Sequence, residues 1–425
     1  MNDPFPPQNY IQIDSKVNGI EVYAPAPEVA RPQPAVVEFK CPQCGATTAY
    51  SVEDGGLKCS HCGYYSPPEN KTVGRQAGEL EFTIETLQQA ERGWGETRNE
   101  LECQTCGART SVPVEALTHT CPFCGSNQVI QRQAPTDIIR PRFLIPFSIE
   151  TRQCQNISRQ WLGSSWMTPK TLQRIADQEL FTGIYLPYWT FDTTATAAWK
   201  AEVGHTETER YYENGQWKER MVIRWRWESG QVTKPFDDLL VPGTARLSNL
   251  LLNRIKQFDM SQLRPYEPGF LAGFHALAYD LPLDKAWENA RQQMRESTRQ
   301  ACRDQASTTH IRNFSMNLDF SDESWRYILL PIYLASYRYN DRVFQVMING
   351  QSGAIAGQRP VDWTKVWLAV SASLAPGLLL ALIGLLTILL GGVGALFGGI
   401  GFVLLVVGII ISVVLLRKAM GMDDI

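Results

Sequence analysis

The rhythm of hydrophobic and polar positions changes along this chain, and each change marks an element. Between Val366 and Leu416 there is no charged residue at all. One membrane crossing needs about 20 mostly apolar residues, so this run holds two: Val366 to Leu390, a turn at Gly391, Gly392, Val393 and Gly394, and a return from Ala395 to Leu416. A buried helical pair in a soluble core is the alternative, but soluble helices keep a polar face and this run has none. Upstream, the rhythm is that of strands. Gly183 to Asp192 is a nearly continuous apolar run that extends into Thr193 to Val203, with Pro187 expected near a strand start or on an edge. Met221, Ile223, Trp225 and Trp227 alternate with Arg220, Val222, Arg224 and Arg226, which predicts a half-buried strand with tryptophans inside and arginines in water. Tyr327 to Val346 is the last strand segment, folded back by Asn349-Gly350 and Ser352-Gly353 to end near Pro360. Helices fall between: Ser148 capping one through about Trp161, Thr168-Pro169 starting one through about Ala176, and Asp284 to about Arg303 with Ala286, Ala290, Met294 and Ala301 on one side.

The first third has little apolar rhythm, and cysteine takes its place. Eight of the ten cysteines fall in CxxC pairs. Cys41-Pro42-Gln43-Cys44-Gly45 and Cys59-Ser60-His61-Cys62-Gly63 recur 62 positions later as Cys103-Gln104-Thr105-Cys106-Gly107 and Cys121-Pro122-Phe123-Cys124-Gly125. Each CxxCG is a knuckle: two thiolates reach one ion from a tight turn, and the glycine takes the left-handed backbone that aims amide N–H groups at sulfur. Four thiolates make a closed tetrahedral site, suited to structural zinc and without a position for a nucleophilic water. Iron in a rubredoxin-like site is the chemical rival; the 14 residues between knuckles favour a zinc ribbon. His61 and His119 lie beside the ligands and read as surface residues, since four thiols are already available. A ribbon of this size is too small to fold on apolar burial alone, so two Zn²⁺ ions would serve folding first.

These signals divide the chain into a Pro-rich disordered tail (1–38), zinc ribbon 1 (39–68), a helical connector (69–100), zinc ribbon 2 (101–130), a mixed α/β (α+β) domain (131–362), a two-helix transmembrane hairpin (363–418) and a short tail (419–425). The connector is read from Leu80, Ile84, Leu87 and Ala90, a helical stripe closed by Gly93 and expected to cover one ribbon. Charge then orients the hairpin. Lys365 precedes it, Arg417 and Lys418 follow it and its turn is neutral, which places both ends in the cytoplasm. Met1 to Tyr10 shows no signal-peptide pattern, in keeping with a cytosolic soluble part. Glycines 394, 398, 399 and 401 let the two legs pack on each other or on a second copy, so a homo-oligomer stays open.

Net charge is minus 3, which announces no strongly charged partner. From Ala35 to Ile130 there are 7 basic residues against 12 acidic ones, and eight thiolates around two Zn²⁺ deepen the deficit. A phosphate backbone needs the opposite balance, so protein partners are favoured over nucleic acid. A nucleic-acid reading would rest on Arg224 and Arg226 beside the tryptophans.

Common catalytic patterns do not occur. There is no Gly-Lys dipeptide for a P-loop, no His followed by Glu for a zinc protease, and no GxSxG elbow. Asp237-Asp238 are adjacent carboxylates that would diverge on a strand; an enzyme reading would use them or Asp192 within an apolar pocket. Cys154 and Cys302 sit in helical patterns and read as buried fillers.

The order CxxCG ribbon, Gly93-Trp94-Gly95, second ribbon, Tyr185-Leu186-Pro187-Tyr188-Trp189-Thr190-Phe191-Asp192, Phe236-Asp237-Asp238, Leu271-Ala272-Gly273-Phe274, Leu329-Leu330-Pro331 and Asn349-Gly350-Gln351-Ser352-Gly353 resembles a family of bacterial zinc-ribbon proteins. Its members are often labelled primosomal replication protein N-prime or superfamily II helicase, although this chain has no helicase motif. Over about residues 39 to 365, the resemblance implies a two-ribbon metal-binding protein with an α/β domain and, in some members, a membrane tail. It transfers only the eight knuckle cysteines as ligands. Relatives that sit beside a phage-shock-type membrane-stress protein imply a partner and no reaction. The resulting expectation is a non-enzymatic, membrane-anchored zinc adaptor at the cytoplasmic face, with membrane-associated proteins and the lipid bilayer as partners and replication-linked nucleic-acid binding as the alternative.

Overall fold

The computed structural model describes residues 10–13, 22–25, 39–69, 71–83, 86, 90–114, 120–135, 137–169, 171–172, 181–339, 342–389 and 394–423. The expected tail lies outside these residues except for Tyr10–Ile13 (β1) and Val22–Pro25 (β2), which pair antiparallel. The helix read from Thr168 and the turn from Gly391 lie largely outside them as well.

A mixed sheet organises the body. Strand β11 (Thr182–Glu213) runs between β12 (Gln216–Pro242) and β15 (Ile311–Tyr339), antiparallel to both. Short strands extend it: β10 (Phe143–Leu144) and β13 (Arg264–Pro265) beside β15, β14 (His275–Ala276) beside β11, and β16 (Arg342–Asn349) with β17 (Ile355–Gly357) on the other part of β15. Side chains alternate across a strand, and here both faces are covered. Tyr185, Trp189, Phe191, Tyr327, Leu329 and Tyr333 enter an aromatic core, whereas Ile184, Leu186, Tyr188, Ile328, Leu330 and Ile332 enter an aliphatic one. That double burial is why Gly183–Phe191 and Tyr327–Ala335 read as continuous apolar runs.

Leu186-Pro187 and Leu329-Leu330-Pro331 face each other in the ladder, with Leu186 opposite Leu330. Both prolines sit inside central strands, whereas Pro187 is expected near a strand start or on an edge. Pro187 O accepts from Gly243 N at 2.8 Å and Pro331 O from Gly350 N at 2.9 Å. A residue's N and O share one side of a strand, so each missing N–H faces the point where the outer neighbour begins to pair, at Tyr188–Pro242 and Ile332–Asn349.

Helix α1 (Thr151–Gly163) is capped two residues later than Ser148: Glu150 is its N-cap, in a capping box with Gln153. With α2 (Asn249–Ile255) and α3 (Leu283–Gln305) it covers the sheet; Leu283, Ala286, Trp287, Ala290 and Met294 of α3 enter the aromatic core. The connector begins as a strand, while Thr86 within the expected helix is helical. Leu80–Glu81 is a short strand, β6, paired with Trp325 and Ser324 of β15. Leu80, Phe82 and Ala90 pack on the aromatic core rather than on a ribbon alone, and Ile84 and Leu87 lie outside the described residues.

The tryptophan face also departs from expectation. Trp217, Met221, Ile223, Trp225 and Trp227 are exposed, because beyond Val203 the ladder contains only β11 and β12, with no third strand and no helix over them among the described residues. The hairpin turns at Asn214-Gly215, both with positive φ (54° and 77°), a pair suited to a two-residue turn.

Helices α4 (Trp363–Leu389) and α5 (Gly394–Asp423) are long and apolar enough to cross a membrane. Small residues let them approach: a Cβ on Gly401 would meet Ala381 N at 2.5 Å, one on Gly384 would meet Gly398 N at 2.5 Å, and Ser373 and Ser412 hydroxyls lie 3.0 Å apart across the pair. Their charged ends fold back on the soluble body, where Met167, Val361, Val366 and Ala419 cluster.

Candidate metal centres

The eight knuckle cysteines come together as two groups of four, Cys41, Cys44, Cys59 and Cys62, and Cys103, Cys106, Cys121 and Cys124. Across the knuckles the sulfurs approach as Cys41–Cys62 at 3.4 Å, Cys44–Cys59 at 3.6 Å, Cys103–Cys124 at 3.6 Å and Cys106–Cys121 at 3.6 Å. A tetrahedron with zinc–sulfur bonds of about 2.3 Å has edges of about 3.8 Å, so both groups fit a zinc ion with little adjustment. The backbone is shaped for it. Gly45, Gly63, Gly107 and Gly125 all have φ near +70°, and each donates its N–H to the carbonyl of its knuckle's first cysteine at 2.8 to 2.9 Å. The first cysteine of every knuckle is buried and the second is more open. Backbone N–H groups of Cys62 and His61 hold the Cys59 thiol down at about 6, while Cys62, against the N–H of Tyr64, is pushed up to about 12 by the neighbouring sulfurs, so the four thiols share their protons unequally. His61 is exposed, and His119 lies outside the described residues.

The two groups are mounted differently. In ribbon 1, β3 (Thr48–Ser51), β4 (Gly56–Cys59) and β5 (Tyr65–Ser66) form a sheet of their own, joined to the body through Tyr50, whose N–H donates to Ala272 O at 3.0 Å. In ribbon 2, β7 (Arg98–Cys103), β8 (Arg109–Pro113) and β9 (Val129–Gln133) continue the main sheet through Ser111 opposite Ala276. Cys103, Cys121 and Phe123 are part of the aliphatic core. Ser336 Oγ and Gln345 Nε2 donate to Phe123 O at 2.8 and 2.7 Å, so β15 and β16 grip the second knuckle. Buried Arg98 adds a further tie, donating to Ser111 Oγ and Phe274 O at 2.9 Å each.

A second polar cluster is held at a fault in the sheet. The β11 ladder shifts register between Phe191 and Thr193 on one side and between Asp192 and Thr194 on the other. The bulges bring Asp192, Glu79 and Asp238 around Arg326, which is 1% exposed. Arg326 Nη2 lies 3.1 Å from Glu79, 3.2 Å from Asp192 and in direct contact with Asp238. Asp237 and Asp238 differ in burial without separating as a regular strand would require: Asp238, at φ 55°, turns inward, while Asp237 is exposed and 3.6 Å from Arg75. Carboxylate oxygens of Asp192, Asp237 and Asp238 all lie within 4.8 Å of one another, with Arg326 serving as the cation for Asp192 and Asp238 and Arg75 for Asp237. A cavity of about 410 Å³ lies elsewhere, between ribbon 1 and the Glu267–Phe270 segment.

Burial raises the Asp192 carboxyl to about 7, against the Asp238 N–H and the Arg326 charge, and raises Asp238 in the same direction. An unfolded aspartate titrates near 3.9. Between those values the folded chain keeps a proton that the unfolded chain has released, so this contribution to stability is present at low pH and lost as pH rises to about 7. Urea titrations of the full-length protein should show stability falling across that window by up to ~1.4 kcal/mol per pH unit, with a flatter profile in Asp192→Asn.

Cys154 and Cys302 are buried; burial pushes the Cys154 thiol up to about 12 and raises that of Cys302, which disfavours the nucleophilic thiolate. Sequence reasoning missed Arg326 and Glu79 altogether. The one available signal was an arginine, Arg326, inside the apolar run that begins at Trp325.

Fold and site together define a class: a mixed sheet-and-helix protein with two four-cysteine groups suggestive of zinc and two C-terminal helices suggestive of membrane anchoring. Among known proteins the chain is similar to one from Bacillus subtilis (strain 168) that bears the name "Uncharacterized protein YdjG". The two are 25% identical over 356 residues, covering 82% of this chain and 96% of that one. No family model and no solved structure matches the chain.

Proposed function

We propose that the protein is a membrane-anchored, zinc-dependent adaptor at the cytoplasmic face of a bacterial membrane, non-catalytic, presenting its ribbons and α/β domain to protein partners. The observation that carries this reading is the union, in one chain, of two closed four-sulfur groups with a C-terminal apolar helical pair. Four thiolates leave zinc no open position for a substrate, so the ion's work is to hold surface. Lys365, Arg417 and Lys418 at the helix ends support a cytoplasmic body. The family resemblance adds a phage-shock-type membrane-stress protein as the partner to look for.

The nucleic-acid reading gains from the exposure of Trp217, Trp225 and Trp227, since bases stack on open aromatics. It loses on arrangement. Arg224 and Arg226 project from the opposite face and are paired with Glu207.

Membranes washed in alkaline carbonate should retain the full-length chain, and the detergent-purified protein should contain two zinc ions per chain. Cross-linking in intact cells should then recover membrane-surface proteins. Release of the chain by carbonate would remove the anchor from this reading. Sequence-independent DNA or RNA binding with a steep salt slope, and no protein neighbours, would favour the alternative.

A further inference from the structure

The strands β11 and β12 change character halfway along. Where β15 is still paired, from Ala197 to Val203, the odd-numbered residues of β11 are buried: Ala197, Trp199, Ala201 and Val203 pack with Cys302 of α3. The opposite face is polar there, with Thr196, Ala198 and Lys200 beside Ser229, Gln231 and Thr233. Beyond Gly204 the two faces exchange roles. The face that carried the core becomes charged: Glu207 and Glu209 on β11 meet Arg220, Arg224 and Arg226 on β12. The formerly polar face becomes apolar, with Tyr212 and Trp217 at the tip, then Met221, Ile223, Trp225 and Trp227.

Helix α3 ends at Gln305, beside Trp199 and Gly230, and lies on the charged side, so no extension of it covers the tryptophans. Tyr212 is 63% exposed, Trp217 72%, Met221 81% and Trp227 62%. A two-stranded ribbon is marginal in water without a third strand or a packed face. The geometry points to a second copy of this chain as what packs there: the aromatic faces of two distal hairpins meet in a symmetric dimer.

Area and charge select that occupant. The exposed side chains present roughly 700 Å² of mostly apolar surface, close to the ~800 Å² that one partner contributes to an interface of standard size. Among the aromatic side chains the charges cancel: Arg210 pairs with Glu219 at 2.6 Å near the tip, and Glu202 pairs with Arg312, whose guanidinium lies 4.1 Å from the Trp225 ring centroid, while Lys200 stands on the same face beyond them, opposite Ser229. A neutral, apolar patch is compatible with its own copy. An anionic lipid surface would call for a cluster of lysine or arginine on the same side as the tryptophans; Lys200 is a single such charge at the margin of the patch, and the arginine-rich side of this hairpin is the other one.

The test uses full-length protein in detergent micelles, with sedimentation as the readout. The natural chain is expected to be dimeric at micromolar concentration. The triple variant Trp217→Ser, Met221→Ser, Trp227→Ser should self-associate at least about 100-fold more weakly while keeping two zinc ions per chain; Arg224→Ser on the charged face should dimerise as the natural chain does. A photoreactive phenylalanine analogue placed at Met221 should join two copies of the chain. A monomeric natural protein, or a triple variant as dimeric as the natural chain, overturns the proposal. So does a label at Met221 that captures only lipid or an unrelated polypeptide.

Discussion

Exchange of Cys121 for serine is expected to halve the zinc content and to destabilise the whole soluble body, whereas Cys59→Ser should halve the zinc and leave the body folded. Both substitutions remove one thiolate from a four-sulfur group. Zinc supplies about 10 to 16 kcal/mol in modules of this size, far more than a ribbon's own core can, so each ribbon should lose its order. How far the damage spreads depends on how each ribbon is mounted. Ribbon 2 lends Cys103, Cys121 and Phe123 to the aliphatic core, its sheet continues the main one, and its second knuckle accepts hydrogen bonds from Ser336 and Gln345. Loss of order there leaves those donors without partners and opens one face of β15. Ribbon 1 has a separate sheet and reaches the core mainly through Tyr50, whose ring lies 5.2 Å from that of Phe270 at an interplanar angle of 47°. Thermal unfolding of the body, zinc per chain and protease sensitivity of each ribbon, measured on the same samples, separate the two outcomes. Equal destabilisation by both variants would contradict the mounting described.

That asymmetry was not visible in the sequence, where the two cysteine modules are near copies displaced by 62 residues. Local chemistry was legible: the CxxCG spacing gave all eight sulfurs and the four left-handed glycines, because a knuckle is made by five consecutive residues. The strands from Gly183 and Tyr327 were legible because burial on both faces leaves an unbroken apolar run, and the two C-terminal helices because an uncharged run long enough to cross a membrane is itself a local signal. Context was not. Trp225 and Trp227 alternate with arginines as a half-buried strand would, and nothing in their own stretch reports that α3 lies on the arginine side. Asn214-Gly215, flanked by alternating residues, was an available turn signal for the tip of that hairpin and went unread. Leu80 obeyed helical spacing but was drawn into a strand by Trp325, which is distant in sequence. The same distance hid the carboxylate cluster: Glu79, Asp192, Asp238 and Arg326 come from four separate segments and meet only where the ladder slips.

Replacement of Arg326 by methionine should be the most damaging single change outside the cysteines. Its side chain fills a buried site among Glu79, Asp192 and Asp238, and it also donates to Thr190 Oγ1 and Ala77 O at 3.2 Å each. Methionine replaces the volume but leaves three carboxyl groups and a main-chain oxygen without their donor. Breaking a buried ion pair from one side destabilises by about 3 to 5 kcal/mol, because the remaining charge is stranded. The loss should shrink as pH falls, since the carboxyls can escape by taking up protons, and burial already raises Asp192 and Asp238. Adding Asp192→Asn and Asp238→Asn to Arg326→Met should therefore recover part of the lost stability at neutral pH, a non-additive result that only groups in contact produce. Urea unfolding of the natural chain, Arg326→Met, the asparagine pair and the triple variant at pH 5 and pH 7.5 decides it. A deficit independent of pH, or one that the added asparagines deepen, would mean that Arg326 acts through packing alone and that the carboxylates around it carry no stranded charge.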